Sequence, residues 1–445
     1  MTSSIECKNF LKSLQLLSSF VNIGVEYFIL CPGSRSAPLA LAANELFSQR
    51  KIQLFNSIDE RSAGFHALGI SSASGKNVIV ITTSGTAVAN LLPSAIEADR
   101  SCINILYLTA DRPYRLKECG ANQTVNQEEF LLSACKAYLN TNLEGLHEES
   151  ESDIRNLTKS ILKENTINPG PIHLNIPFEK PLMLSFEKKK KMLEVFHQGQ
   201  LKNNFNLISN QINYINGRKI KKTIDLKKTG LIIVGPYRGS TNNLSEFNKS
   251  LELLQNISGW PVFADPISGV KKTLRGLVEN WELVILRNKK LLNFEQLLRL
   301  GPMPSSIVLE EFLKVFKGFH FLIKEGDSRK LDPFRKAVEY EFGLNEFMKC
   351  TLEQKYKRNV ANSSLIPIAD KLILEGKRIK TLIKNEVLIN DKITEVSIAN
   401  LVPKIWPKNY PIMISASSPI RDWITFSGNN VLTRRCFSFR GASGI

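Results

Sequence analysis

Short apolar segments alternate with helical patterns along the first part of the chain. The apolar segments are rich in β-branched and aromatic residues, and they read VEYFILC, KIQLFNSI, NVIVITTSG, INILYLTA and PIHLNIP. Between them lie helix-like stretches such as LALAANELF and ERSAGFHALGISSAS. Strands that are apolar on both faces and alternate with helices are typical of a parallel sheet covered on both sides. The pattern therefore predicts a first doubly wound α/β domain over residues 1–185.

The strand-and-helix pattern resumes twice after a polar stretch. Residues 186–227 are charged and weakly periodic, which predicts a linker containing some helix. A second α/β unit over residues 228–390 begins with GLIIVGP and continues through WPVFADPISG, ELVILR and FHFLIKEGD. A third begins at residue 391, with YPIMISASS as its first strand. A sheet of this class needs more strands than residues 391–445 offer, so we expect three parallel-sheet domains, the third incomplete.

The composition is that of a globular protein. Of the 445 residues, 43% are hydrophobic and 23% are charged, and no apolar run reaches the roughly 18 residues of a membrane span. The amino-terminal MTSSIECKNFLKSLQLLSSF predicts an amphipathic helix, because a signal peptide has a basic flank and a continuous apolar stretch. The 7 cysteines are scattered without a CxxC pair, which argues against a zinc site or a disulfide framework. We therefore expect a cytoplasmic protein without a membrane partner.

The formal net charge of +17 has three interpretations. It could mark a nucleic-acid surface, an affinity for anionic small molecules, or lysines spread over a solvated face. Most of the excess is dispersed lysine, and the one dense run, Lys188 to Lys191, lies in the predicted linker. No aromatic and basic residues interleave around it as they do in surfaces that stack bases. Dispersed lysine is therefore the favoured interpretation, and nucleic-acid binding is the least favoured.

Four polar or glycine-rich loops follow strands of the first domain, at the edge of a doubly wound sheet where ligands bind. They are Cys31–Ser36 (CPGSRS), Asp59–Ser62 (DERS), Thr82–Thr86 (TTSGT), and Asp111–Pro113 leading to Asn122–Gln123. Taken singly, each has a plain structural interpretation: a turn glycine, a first-turn helix acid, a surface cation, or an Arg112–Asp111 ion pair. Convergence of four such loops on one edge favours a ligand site.

A series of blocks along the chain carries a family resemblance. In order, they are CPGSRSAPLALA, IDERSAGFHALG, TTSGTAVANLLPSAIEA, TADRP with CGANQ, GPIHLNIPFEKPL, DPISG, ASSPIRD and FRGASGI. Together they resemble the 2-succinyl-5-enolpyruvyl-6-hydroxy-3-cyclohexene-1-carboxylate synthase (MenD) family of thiamine-diphosphate enzymes. The resemblance extends from about residue 20 to the last residue and is densest in residues 30–180 and 412–445.

The resemblance implies a transferase of menaquinone or phylloquinone biosynthesis. Such an enzyme decarboxylates 2-oxoglutarate and adds the resulting succinyl-semialdehyde carbanion to isochorismate. Its cofactors are thiamine diphosphate and Mg²⁺ or Mn²⁺, and it acts as a homodimer. Glu60 matches the glutamate that activates the cofactor, and a buried, apolar setting would raise the pKa of its carboxyl. The other implied cofactor-binding residues are Ser84, Gly85, Thr86 and Ser417.

Both implied substrates are dicarboxylates, so the site needs several cations. Arginine suits this task because its planar fork binds carboxylates bidentately. The resemblance places Arg35, Arg112, Arg421 and Arg440 at substrate positions, with Ser34 and Gln123 beside them.

The sequence departs from the family pattern at two places. Ile307 occupies a position after GPMPSS where the family commonly has a lysine. No metal ligand is assigned, because the motif that holds the metal and the diphosphate would lie beyond Ile445; we therefore expect the chain by itself to be inactive. Two alternatives stay open at this point: another decarboxylase or carboligase of the acetolactate-synthase type, and an inactive fragment. The arginines of PGSRS and ADRP favour a dicarboxylate enzyme over the acetolactate-synthase type.

Overall fold

The computed structural model describes residues 4–202, 223–288, 293–352, 364–387 and 393–442. The chain divides into two compact units, each with its own hydrophobic core. One unit comprises Met1–Asn216 together with Gly441–Ile445, and the other comprises Gly217–Arg440.

The first unit is built on a six-stranded sheet in which all neighbouring strands are parallel. Every residue of the strands β3, β4 and β6 is buried, which explains why their sequences are largely apolar. The predicted doubly wound α/β class is therefore confirmed. In the order β2-β1-β3-β4-β6-β5, the strands are β1 (Tyr27–Leu30), β2 (Gln53–Asn56), β3 (Val78–Thr82), β4 (Ile105–Asp111), β5 (Ala137–Asn140) and β6 (Ile172–Pro177).

Helices connect these strands, and local sequence signals set their ends. The third helix begins where the Asp59 carboxylate accepts the backbone N–H of Ser62, and it ends at Gly75, whose φ of 69° suits glycine. The helices of this unit are α1 (Ile5–Asn22), α2 (Ala37–Ser48), α3 (Glu60–Ser74), α4 (Thr86–Ala89), α5 (Leu92–Ser101), α6 (Glu151–Ile167) and α7 (Phe186–Lys202).

The second unit contains a five-stranded parallel sheet and a separate two-stranded one. The larger sheet has the order β11-β10-β9-β7-β8, with β7 (Gly230–Val234), β8 (Val262–Ala264), β9 (Gln296–Leu300), β10 (Phe319–Ile323) and β11 (Val338–Tyr340). The smaller sheet pairs β12 (Ile412–Met413) with β13 (Cys436–Phe437). The helices are α8 (Leu244–Ser258), α9 (Trp281–Arg287), α10 (Ile307–Val315), α11 (Gly343–Phe347), α12 (Pro367–Leu382), α13 (Glu395–Ile405) and α14 (Ser418–Phe426).

Three segments differ from the predicted division into a linker, strands and a separate third domain. Helix α7, at the start of the predicted linker, packs Met192 and Phe196 into the core of the first unit; residues 203–222 of that linker lie outside the described residues. The ELVILR segment forms helix α9 and does not add a strand. Strands β12 and β13 share a hydrophobic core with β7. The domain boundaries at residues 185, 227 and 390 stay predictions.

Among the helices that the structure describes, none is both long enough and apolar enough to cross a lipid bilayer.

Candidate active site

The four predicted loops lie along one edge of the first unit's sheet. Strands β2, β1, β3 and β4 are successive neighbours, and a polar loop follows the carboxyl end of each. Two of the loops touch, because a Cβ added to Gly33 would lie only 2.3 Å from the Cβ of Thr83. The parallel topology therefore brings together loops that are far apart in the sequence.

Arg112 joins two of these loops through its guanidinium group. Its Nη1 donates to the hydroxyl of Ser84 at 2.6 Å and to the backbone carbonyl of Gln123 at 2.7 Å. The side-chain amide of Gln123 in turn donates to the Ser84 carbonyl at 3.0 Å. Gly85 closes the group with a φ of 86°, and a Cβ there would lie 3.1 Å from Gln123 Cγ. The predicted residues Ser84, Gly85, Arg112 and Gln123 thus form one cluster.

The Arg112–Asp111 ion pair is not what holds Arg112 in place. Asp111 is fully buried, and its Oδ2 lies 3.1 Å from Lys117 Nζ. The contact of Asp111 with Arg112 runs through the backbone, since Oδ1 accepts the Arg112 N–H at 2.8 Å. Asp111 therefore holds the main chain of Arg112, and the guanidinium group is free of it to bond to Ser84 and Gln123.

Arg35 brings a second cation to the same edge. Only 6% of its surface is exposed, and its Nη1 donates to the carbonyl of Phe178 at 2.7 Å. Burial lowers the pKa of this guanidinium, and the positive charge of nearby Arg112 lowers it further. The neighbouring Ser34 is exposed. Two arginines that repel each other in a partly dry setting are suited to bind an anion.

Glu60 is the first residue of α3, and its carboxylate is only half-buried. Its Oε2 accepts a long hydrogen bond from Asn90 Nδ2, with 3.5 Å between the two atoms. Asp59 and Ile58 beside Glu60 are exposed, so this chain by itself does not give Glu60 a buried, apolar setting, and the catalytic role of Glu60 stays a prediction. Thr86, the first residue of α4, is also exposed.

The remaining predicted site residues belong to the second unit. Ser417 precedes α14 with a φ of 70° and a ψ of −128°, a conformation that L residues rarely adopt. Arg421 lies one turn further along the same helix and is exposed, whereas Arg440 is half-buried. Ile307 begins α10 with 69% of its surface exposed, directly after Ser306, whose hydroxyl caps the helix by accepting the Leu309 N–H.

Two residues of the first unit that the sequence did not mark as site residues bind the backbone of predicted segments. Gln127 is fully buried, and its Oε1 accepts the Gly85 N–H at 2.9 Å. Glu97, with 2% exposure, accepts the N–H groups of Gly441 and Ala442, each at 2.7 Å. The proximity of Gln127 to the ANQ motif was a usable signal. Glu97 offered none, since it occupies an ordinary polar position of a helix and its partners are 344 and 345 residues away.

The loop edge of the first unit combines a carboxylate with a turn at which the backbone requires glycine. A side chain at Gly85 would crowd Gln123 Cγ at 3.1 Å, and Glu60 on the loop after β2 is half-buried. A metal-binding cluster of three or more His, Cys, Asp or Glu side chains does not occur within the described ranges.

Comparison with known proteins agrees with this arrangement. The profile of the family described as "Thiamine pyrophosphate enzyme, N-terminal TPP binding domain" matches residues 14–130, which span all four loops. A six-stranded parallel sheet with this loop edge and this match defines the first unit as part of a thiamine-diphosphate enzyme.

Relatives identify the family within that class. The chain is 60% identical over 447 residues to the 2-succinyl-5-enolpyruvyl-6-hydroxy-3-cyclohexene-1-carboxylate synthase of Prochlorococcus marinus strain MIT 9301, covering 100% of this chain and 76% of the relative. It is 44% identical over 458 residues to the same-named enzyme of strain NATL2A, covering 100% of this chain and 75% of that relative. The chain belongs to this synthase family, and the acetolactate-synthase alternative is not supported.

Proposed function

We propose that the loop edge of the first unit binds the pyrimidine half of thiamine diphosphate beside a dicarboxylate substrate. The observation that carries the proposal is the contact of Arg112 with both Ser84 and Gln123. A cation that bonds to the cofactor loop can hold a substrate carboxylate next to the cofactor. The buried Arg35 supplies a second positive charge at the same edge.

The proposed reaction is the decarboxylation of 2-oxoglutarate and addition of the resulting succinyl-semialdehyde carbanion to isochorismate, in menaquinone or phylloquinone biosynthesis. When bound, thiamine diphosphate supplies the electron sink that lets a 2-keto acid lose carbon dioxide. The protein's residues orient the reactants: Arg35 and Arg112 bind carboxylates, and Ser34 and Gln123 donate or accept hydrogen bonds beside them. Arg421 and Arg440 of the second unit are proposed as further substrate cations, and Ser417 as a cofactor contact.

Glu60 is proposed to exchange a proton with the aminopyrimidine ring of the cofactor. A carboxyl group at this position can donate a hydrogen bond to a ring nitrogen when protonated. Its half-buried state and the 92% exposure of nearby Ile58 support a homodimer, because a partner subunit that covered both residues would remove this apolar side chain and the carboxyl group from water. Mg²⁺ or Mn²⁺ is proposed for the diphosphate, and the free cysteines support a cytoplasmic location.

Replacing Glu60 by glutamine tests the proposal. In full-length protein supplied with thiamine diphosphate and Mg²⁺, Glu60→Gln should lower carbon dioxide release from 2-oxoglutarate by at least about 100-fold. Circular dichroism should be unchanged. The matched control is Glu151→Gln, which alters the first residue of another helix in the same unit and should leave turnover intact. Turnover by Glu60→Gln close to that of the wild type, or preference for pyruvate over 2-oxoglutarate as donor, would reject the proposal.

A further inference from the structure

Gln127 lies beneath the Gly85 loop, and all of its amide hydrogen-bonding groups are engaged within the first unit. Its Oε1 accepts the Gly85 N–H at 2.9 Å, and its Nε2 donates to the carbonyl of Ala110 at 3.1 Å and to Oδ1 of Asn175 at 2.8 Å. The first bond needs an acceptor, and the bond to Ala110 needs a donor. Only one orientation of the amide satisfies both, so the side chain is fixed.

The bonds of Gln127 extend through Asn175 to the residue that precedes Arg112. Asn175 Nδ2 donates to Oδ2 of Asp111 at 2.9 Å, and the other oxygen of Asp111 accepts the Arg112 N–H. Asn175 and Asp111 are 2% and 0% exposed. A continuous buried path of polar contacts therefore joins the backbone of Gly85 to the backbone of Arg112.

The far end of this network has a defined proton arrangement. The Thr109 hydroxyl donates to Asn175 Oδ1 at 3.0 Å and also lies 2.7 Å from His173 Nε2. Because the Thr109 hydrogen is directed to Asn175, His173 must donate from a protonated Nε2. Burial lowers the pKa of His173 to about 3, which keeps the ring neutral. The network therefore has one set of donors and acceptors near neutral pH.

We propose that Gln127 is a positioning residue that holds the Gly85 loop in its cofactor-binding conformation and ties that conformation to the position of Arg112. This inference rests on the proposed function, since it assigns Gly85 to the cofactor and Arg112 to the substrate. Gln127 acts through the backbone of Gly85 and does not itself contact the reactants.

Two substitutions at residue 127 separate this role from simple packing. Gln127→Met keeps the length of the side chain and removes all three hydrogen bonds. Gln127→Glu keeps an acceptor for Gly85, but the ionised carboxylate would face the oxygens of Ala110 and Asn175. When protonated, it can accept from Gly85 and donate to one of those oxygens, so its defect should diminish as the pH falls. Gln255→Met is the matched control, because Gln255 is another fully buried glutamine and lies in the second unit.

The first measurement is hydrogen exchange of the peptide that contains Ser84 and Gly85, without cofactor. Gln127→Met should exchange there at least about tenfold faster than the wild type, whereas Gln255→Met should not. The second is the half-saturating concentration of thiamine diphosphate with Mg²⁺ in the full-length protein, which Gln127→Met should raise about tenfold. Gln127→Glu should approach the wild-type value at acidic pH, each variant being compared with the wild type at the same pH.

The outcomes distinguish this inference from the proposed function. Unchanged exchange at Gly85 in Gln127→Met, or a Gln127→Glu defect that does not vary with pH, would overturn the positioning role even if the wild type is active. If Gln127→Met does not fold, the pH dependence of Gln127→Glu decides the matter. If Gln127→Met exchanges faster at Gly85 but the wild type does not decarboxylate 2-oxoglutarate, the proposed function is rejected and the role of Gln127 in holding the loop is retained.

Discussion

Arg112 donates a hydrogen bond from Nη1 to the hydroxyl of Ser84, with 2.6 Å between the two atoms. One residue is predicted to bind substrate and the other to face the cofactor, so the two predicted functions meet at a single hydrogen bond. The same nitrogen also reaches the Gln123 carbonyl, which means that the arginine helps to shape the site before any ligand is present.

Arg112→Lys is expected to impair the enzyme although the charge is kept. A lysine ammonium cannot reproduce the planar fork that reaches two loops and a carboxylate together, so the KM for 2-oxoglutarate should rise about 10- to 100-fold. Steady-state kinetics with the full-length protein measure this. The control is Arg115→Lys, because Arg115 lies on the surface in ion pairs with Glu144 and Glu179 and should tolerate the change. Equal KM values for the two variants would contradict the role of Arg112.

Glu97→Ala should destabilise the first unit. The carboxylate accepts the backbone N–H groups of Gly441 and Ala442 and the hydroxyl of Ser101, and alanine would leave all three without that acceptor. We expect a loss of about 1–3 kcal/mol in the free energy of unfolding, because the buried Ser101 hydroxyl and the partly buried Gly441 N–H would lose their acceptor.

Urea denaturation followed by circular dichroism measures the effect of Glu97→Ala. The control is Glu194→Ala, which removes an exposed glutamate of α7. Gly441→Ala should also destabilise, since its Cβ would lie 2.7 Å from Arg100 Cβ and 2.9 Å from the Glu97 carbonyl oxygen. A Glu97→Ala protein as stable as the control would show that these bonds contribute little.

His173 should make the first unit sensitive to acid. Burial lowers its pKa to about 3 in the folded protein, whereas an unfolded histidine titrates near about 6.5. The unfolded state therefore binds a proton first, and stability is lost as the pH falls from about 6.5 towards 3. His173→Gln can still donate to Thr109 but does not titrate. Between pH 7 and pH 4 the free energy of unfolding of the wild type should therefore fall by up to about 3 kcal/mol more than that of His173→Gln. Parallel denaturation curves for both proteins across this pH range would refute the expectation.

Asp265 should make the second unit less stable as the pH rises, which is opposite to the effect of His173 on the first unit. It is fully buried after β8, its Oδ1 accepts the Ile267 N–H, and burial raises its pKa to about 6. Because the folded pKa lies above the unfolded value of about 3.9, the stabilisation is complete below about pH 4 and is lost as the pH rises through 6.

Asp265→Asn keeps the acceptor for Ile267 without the charge. It should be more stable than the wild type by about 2–3 kcal/mol above pH 6, and the difference should shrink towards pH 4. Unfolding midpoints measured at several pH values test this. A variant that is less stable than the wild type at pH 8 would show that the ionised carboxylate is stabilising.

The sequence predicted the parallel sheet and the loop edge because both follow from local pattern. Continuous apolar strands such as VIVIT can be satisfied only inside a covered sheet, and parallel strands place their carboxyl ends together. The apolar run ELVILR was not decisive, because a short run fits a buried strand or a helix equally well.

The contacts of Gln127 and Glu97 with distant backbone groups could not be predicted from the local sequence pattern. The bond from Gly85 to Gln127 spans 42 residues, and the bond from Gly441 to Glu97 spans 344. Nothing in the sequence near Glu97 marks it as an acceptor for a distant backbone. Glu60 is only half-buried because it is the first residue of its helix, whereas the apolar residues Ala63 and Ala67 further along that helix lie in the core.

The close approach of Gly33 to Thr83 has a consequence for how this family can diverge. With only 2.3 Å between an added Cβ and the Cβ of Thr83, the two positions share one small volume. A side chain at position 33 can be accommodated only if residue 83 becomes smaller or the backbone of one loop shifts. In descendant sequences a side chain at position 33 should therefore occur only together with a smaller residue at position 83 or a shifted backbone.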